Sequence, residues 1–137
     1  MGNLEFKVIA EGPARPEGIL VLVHGLGGDP INTWRADHGS ESKFWPDWIA
    51  RDLRDLRVVS IGYPAAQTRW NGNSMWLEDR ADSVLNAMLA HPLLDGGAPI
   101  AFAGHSLGGL VIKQALHSAE EKTRSGPRDV AGKVSSF

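Results

Sequence analysis

Ser106 stands in "GHSLGG", with Gly104 two residues before it and Gly108 two after, between the short apolar run "PIAFA" and an apolar-periodic stretch. A strand, a sharp turn and a helix at G-x-S-x-G spacing lift a serine Oγ clear of a sheet, which suits a nucleophile for acyl transfer. The two glycines have a steric task in that reading, because strand and helix pass so close at the turn that a Cβ at either position collides. His105, inside the motif, points elsewhere on the turn and supports it. The bare pattern is weak evidence in a chain with sixteen glycines; its placement between strand and helix gives it weight.

A second stretch of the same kind, "LVHGLGG" at 22–28, also closes an apolar run. The oxyanion of a tetrahedral intermediate needs two preorganised N–H donors, one on the residue after the nucleophile and one in the loop after an earlier central strand. Leu107 and Leu26 are the candidates. Gly25, Gly27 and Gly28 let that loop turn its backbone N–H groups inward, where bulkier residues would resist.

These residues need a scaffold, and the hydrophobic pattern supplies one. Leu4, Phe6 and Val8 alternate with polar residues, predicting a half-buried strand that stops at "EGPARPEG". "ILVLV" at 19–23 is apolar throughout, as a strand covered on both faces of a parallel sheet must be. Trp45, Trp48, Ile49, Leu53 and Leu56 recur at helical spacing, with Pro46 in the first turn, and predict a helix of three turns whose inner face holds Trp45 and Trp48; the alternative is that some of Trp34, Trp45, Trp48, Trp70 and Trp76, grouped in two regions after strands, line an acyl pocket. The charges of "RDLRDLR" read as its solvated side. "RVVSIGY" predicts a third strand. A helix follows over Leu77, Ala81, Val84, Leu85 and Met88, with Asn73 or Ser74 as its cap and Trp76 on its inner face. "PIAFAG" is the fourth strand. The third helix runs from Leu107 to about Ser118, its inner face carrying Leu110, Val111, Gln114 and Ala115. "EEKTRSGPRD" reads as a polar linker, and "VAGKVSSF" as the start of a fifth strand. Strands alternating with such helices specify an α/β fold with a mostly parallel sheet.

Composition narrows the class of function. A formal net charge of -2 with scattered signs leaves no basic stripe for nucleic acid. No apolar run approaches the ~18 residues that span a bilayer, and the first ten residues lack a signal-peptide pattern. The chain has no cysteine, hence no thiol nucleophile and no Cys-based zinc site. No metal-ligand or nucleotide motif occurs, so no cofactor is expected, and a cytoplasmic setting is the default.

"LVHGLGGDPINTW", a helix, "RVVSIGYP", a helix and "GHSLGGLVIKQAL" together resemble the α/β-hydrolase superfamily over residues 19–118. The likeness is to lipase- and esterase-like serine hydrolases, including inositol deacylases of glycolipid anchors, serine-active-site lipases, and N-terminal hydrolase domains of proteins with NACHT and repeat regions. It implies hydrolysis of a small-molecule or lipid ester through an acyl-enzyme on Ser106, with Leu26 and Leu107 as oxyanion donors and His24 supporting the oxyanion loop. It also implies a triad acid and histidine on later strands.

Those later elements are not visible here. His117 follows Ser106 by eleven helical residues, roughly 16 Å, and a general base must lie within about 3 Å. Asp129 precedes the expected fifth strand, while His38 and His91 lie in loops before the nucleophile. The chain therefore reads as one partial hydrolase domain over 1–137, the N-terminal portion with the C-terminal strands missing, its residues 119–137 being linker and strand start. The alternative is a non-catalytic hydrolase-fold module serving binding or regulation in a larger protein. Either way, the edge beyond the fourth strand is expected to pair with the C-terminal stub or with another chain.

Overall fold

A computed structural model of the chain describes residues 4–25, 27–36, 43–63, 74–125 and 134–135. The strands are Glu5–Ala10 (β1), Gly18–Val23 (β2), Leu56–Gly62 (β3), Ile100–Gly104 (β4) and Val134–Ser135 (β5); the helices are Trp45–Asp52 (α1), Ser74–Ala90 (α2) and Leu107–Ser125 (α3). The sheet order is β1-β3-β2-β4-β5. β1 is antiparallel to β3, and the remaining pairs are parallel. This is the mostly parallel, helix-flanked α/β sheet that the pattern specifies.

β2 is the centre of the sheet and is buried at all six positions. Its side chains alternate between two cores. Ile19, Val21 and Val23 join Val59, Ile61, Val84, Met88 and Val111 on the α2/α3 side, while Leu20 and Leu22 join Val58, Trp34, Trp45 and Ile49 on the α1 side. An all-apolar sequence is thus the cost of having helices on both faces. α2 and α3 meet along a seam of Ala81, Leu85, Ala115 and Ala119, whose small side chains let the helices approach closely.

The structure departs from the hydrophobic pattern at five places. α1 ends at Asp52, because Leu53 leaves helical backbone at φ -117, ψ 74, and Leu56 opens β3 instead. Trp48 is exposed, since the single turn beyond it does not carry α1 across β2 and β4. α3 runs on to Ser125, so residues 119–125 are helix rather than linker. Its inner stripe is Leu107, Val111, Ala115 and Ala119 at strict i, i+4 spacing, set by the α2 seam, which leaves Leu110 outside. Val8 is also exposed: the β1–β3 register shifts between Val8 and Ala10, turning Ile9 and Ala10 together onto the α1 side. The expected caps and inner face at 73–76 lie outside the described side chains.

Arg57 belongs to the "RDLRDLR" run but is buried rather than solvated. Its guanidinium donates to the carbonyls of Glu11 (2.7 Å), Leu93 (2.7 Å) and Pro13 (3.1 Å). It ties the β1–β2 turn to the loop after α2, at the end of the sheet where the parallel strands begin.

On the α1 side, β4 is only partly covered beyond the short helix. A groove of about 620 Å³ lies there, walled by Leu20, Trp45, Ile49, Leu53, Ala101 and Ala103. Among the described residues the fifth strand pairs with β4 at two positions, Ile100 with Val134 and Ala101 with Ser135.

Candidate active site

β2 and β4 are neighbours, with Val23 opposite Gly104, and their following segments diverge to opposite faces of the sheet. The loop after β2 leads to α1; the turn after β4 opens α3 on the other side. The crevice outside the carboxyl ends of two such strands is where open α/β sheets place ligands. Both sequence motifs converge on it.

At the β4–α3 junction His105 N–H donates to Val23 O (3.0 Å), Gly108 N–H to His105 O (3.0 Å) and Gly109 N–H to Ser106 O (3.1 Å). Ser106 sits at φ 56, the only described non-glycine residue with positive φ, and is exposed. A non-glycine residue held there costs of order 1–3 kcal/mol, so the surroundings must enforce it. They do so by contact. A Cβ on Gly104 would lie 2.7 Å from Gly109 N, and one on Gly108 2.7 Å from His24 O. Leu107 is the first residue of α3, where a backbone N–H has no intrahelical acceptor.

The loop after β2 presses against this turn. A Cβ on Gly25 would sit 2.7 Å from His105 O, 2.9 Å from Ser106 Cβ and 3.1 Å from Leu107 N. Gly27 adopts φ 68. Leu26, the second expected donor, lies outside the described residues. Farther along, Asp29 accepts from the N–H groups of Ile31 (2.8 Å) and Asn32 (2.6 Å) and orders the turn into the short helix Asn32–Trp34. Burial works to raise the Asp29 pKa, but the bonds from Asn32 and Ile31 outweigh it and hold the carboxyl below the usual value. Ser60 Oγ on β3 donates to Pro30 O (2.5 Å) and pins the same loop from the opposite side.

His24 is fully buried. Tyr63 N–H donates to its Nε2 (3.2 Å), so that nitrogen is unprotonated, and Nδ1–H donates to Gly25 O (2.9 Å). Burial pushes its pKa down, opposed by the Gly25 bond and by the charge of Asp29. Both ring nitrogens are therefore engaged, and burial favours the neutral imidazole. Tyr63 stacks on it with ring centroids 4.3 Å apart at 6°, and the Tyr63 hydroxyl donates to His24 O. Burial raises the Tyr63 phenol to about 12, which keeps it a donor. The pattern in the sequence gave no sign of Tyr63, because its partner is 39 positions away.

The other histidines are placed as follows. His105 is exposed, its ring edge-on to Trp34 at 6.4 Å. His91 Nδ1 accepts from Leu93 N–H (3.2 Å) beside Phe6. His117 is an exposed helix residue 3.4 Å from Glu121. His38 and Asp129 lie outside the described residues, as does Trp70. Trp34 is buried under the turn and meets Trp45 edge-on at 5.7 Å. Among the described residues no group of three His, Asp or Glu is arranged to hold a metal ion, and no helix is long and apolar enough to cross a membrane.

Comparison with solved structures places this fold among the α/β-hydrolases. A lipase-esterase related protein from Clostridium acetobutylicum superposes with a TM-score of 0.59 over 98% of this chain and 46% of its own, at 14% identity. The type II thioesterase YbtT of the yersiniabactin pathway gives 0.54 over 90% of this chain and 44% of its own, at 18% identity. In sequence, the protein SERAC1 of Danio rerio is 30% identical over 118 residues, and that of Bos taurus 27% over 121. The chain spans about 18% of the length of these relatives. The family described as "Putative serine esterase (DUF676)" matches residues 14–135, and to this serine esterase family the chain belongs.

Proposed function

We propose that the chain carries the nucleophile and oxyanion site of a serine ester hydrolase acting on a carboxyl or lipid ester. Ser106 Oγ attacks the ester carbonyl carbon and passes its proton to a general base. The N–H groups of Leu107 and Leu26 stabilise the oxyanion, the alcohol departs, and water releases the acyl group. The observation that carries this reading is the left-handed backbone of Ser106, φ 56, at a strand–helix junction wedged by Gly25. Gly104, Gly108, His105 and His24 serve as supports. No cofactor enters the scheme, and the setting is cytoplasmic. The 137 residues form one domain in this reading.

The histidine placements favour a second reading, a binding or regulatory module without turnover. His24 is committed to Gly25 and Tyr63, while His91 and His117 face other partners. An alkyl fluorophosphonate and a short-chain nitrophenyl ester separate the two. The expected result is covalent labelling of the wild type and none of Ser106→Ala, with weak ester turnover by the chain alone. A wild type that resists labelling overturns the nucleophile. Robust turnover abolished by Ser106→Ala would instead place the base within these 137 residues.

A further inference from the structure

We propose that Tyr63 is a positioning residue of this site, the side chain that locks the oxyanion loop onto the nucleophile turn. The proposal rests on the reading of Ser106 as nucleophile. Tyr63 follows β3 and acts on the turn through His24.

Three contacts make the lock. The Tyr63 hydroxyl donates to His24 O, its N–H donates to His24 Nε2 at 3.2 Å, and its ring lies parallel to the imidazole at 4.3 Å. One residue thus holds both the backbone and the side chain of the other. The grip is transmitted in two directions. The His24 carbonyl that Tyr63 binds is also the atom against which Gly108 packs, where a Cβ would come within 2.7 Å. The His24 ring donates its Nδ1–H to Gly25 O, at 2.9 Å, and Gly25 is the residue pressed on Ser106 Cβ and Leu107 N. Tyr63 is therefore two steps from both sides of the turn.

The surroundings make the lock rigid. Tyr63 and His24 are both buried, so water does not compete for these bonds. The phenol is at the carboxyl end of β3, next to β2 in the sheet, and Ser60, three residues earlier, holds Pro30 of the same loop. Tyr63 and Ser60 grip the loop at His24 and at Pro30, before and after its glycines. An oxyanion site depends on donor placement at the scale of an ångström, and a small displacement from a remote change costs up to 100-fold in rate.

The test compares the wild type with Tyr63→Phe, which keeps the stacked ring and removes only the hydroxyl bond. Val59→Ala, in the middle of β3, serves as a purely structural control. Fluorophosphonate labelling, in which Ser106 Oγ displaces fluoride from phosphorus and its proton passes to water, reports on the site. Amide hydrogen exchange at residues 24–28 reports on the loop whether or not the serine reacts. In Tyr63→Phe the maximal labelling rate is expected to fall roughly 10- to 100-fold with an unchanged half-saturating probe concentration. Exchange at 24–28 is expected to quicken while β2 amides keep their protection. Val59→Ala lowers the unfolding midpoint yet leaves labelling of the folded protein as it was. Unchanged loop exchange in Tyr63→Phe overturns the proposal, and so does unchanged labelling of a serine that reacts in the wild type. Should the loop loosen in a protein whose Ser106 never labels, the hold of Tyr63 on the loop stands and the hydrolase reading falls.

Discussion

Ser106 and His24 are each held in a state that a free residue would not choose, and each state has a measurable consequence. Ser106 keeps a left-handed backbone that costs an L-residue roughly 1–2 kcal/mol and glycine almost nothing. Ser106→Gly is therefore expected to be about 1 kcal/mol more stable than Ser106→Ala in urea unfolding, although both abolish labelling. Equal stabilities would mean that the turn is not strained. For His24 the folded pKa lies below the ordinary 6.5, so the unfolded chain takes up its proton first as pH falls. The stability it contributes is complete above 6.5 and is lost as pH falls through the depressed value. The wild type should lose stability as pH falls below about 6.5, and His24→Gln should flatten that limb; an unaltered slope would assign it to another group. Ser106 and the glycines around it were legible in the sequence because one local turn dictates them. Tyr63 was not, since its role exists only once β3 lies beside β2.

The strands and helices were read from periodicity wherever a single face decides burial. β2 and β4 appear nearly as expected, because residues covered on both sides must be apolar. α1 misled: Leu53 and Leu56 continue a helical spacing, yet Leu56 is claimed by the parallel register with Gly18. Arg57 misled for a related reason. Its neighbours Arg54 and Asp55 are exposed, and nothing local distinguishes the one charge that turns inward to three carbonyls. A buried arginine that satisfies only backbone oxygens is a staple between elements. Arg57→Met should cost about 2–4 kcal/mol, because three carbonyls lose their donors without access to water. A loss under about 1 kcal/mol in denaturant would show that those carbonyls find other donors.

At the scale of the molecule the two sheet faces are unequal. α2 and α3 cover one side of β2 and β4, while the eight residues of α1 leave the other side as an open apolar groove. An environment-sensitive apolar dye should bind the native chain there, and Leu53→Glu should weaken that binding with little change in unfolding midpoint, since Leu53 is already 54% exposed. Dye binding untouched by the substitution would put the accessible surface elsewhere. The site itself depends on a different long-range feature, the pairing of Val23 with Gly104. Residues 23 and 104 come together only after β3 and α2 have been threaded between them, and a loop of that length closes late and at an entropic cost. The strain at Ser106 is thus absent from any state in which β4 is undocked. Relieving it should lengthen the lifetime of the folded protein, through slower unfolding, and leave the rate of folding unchanged. The residue proposed as nucleophile also sets how long the fold lasts.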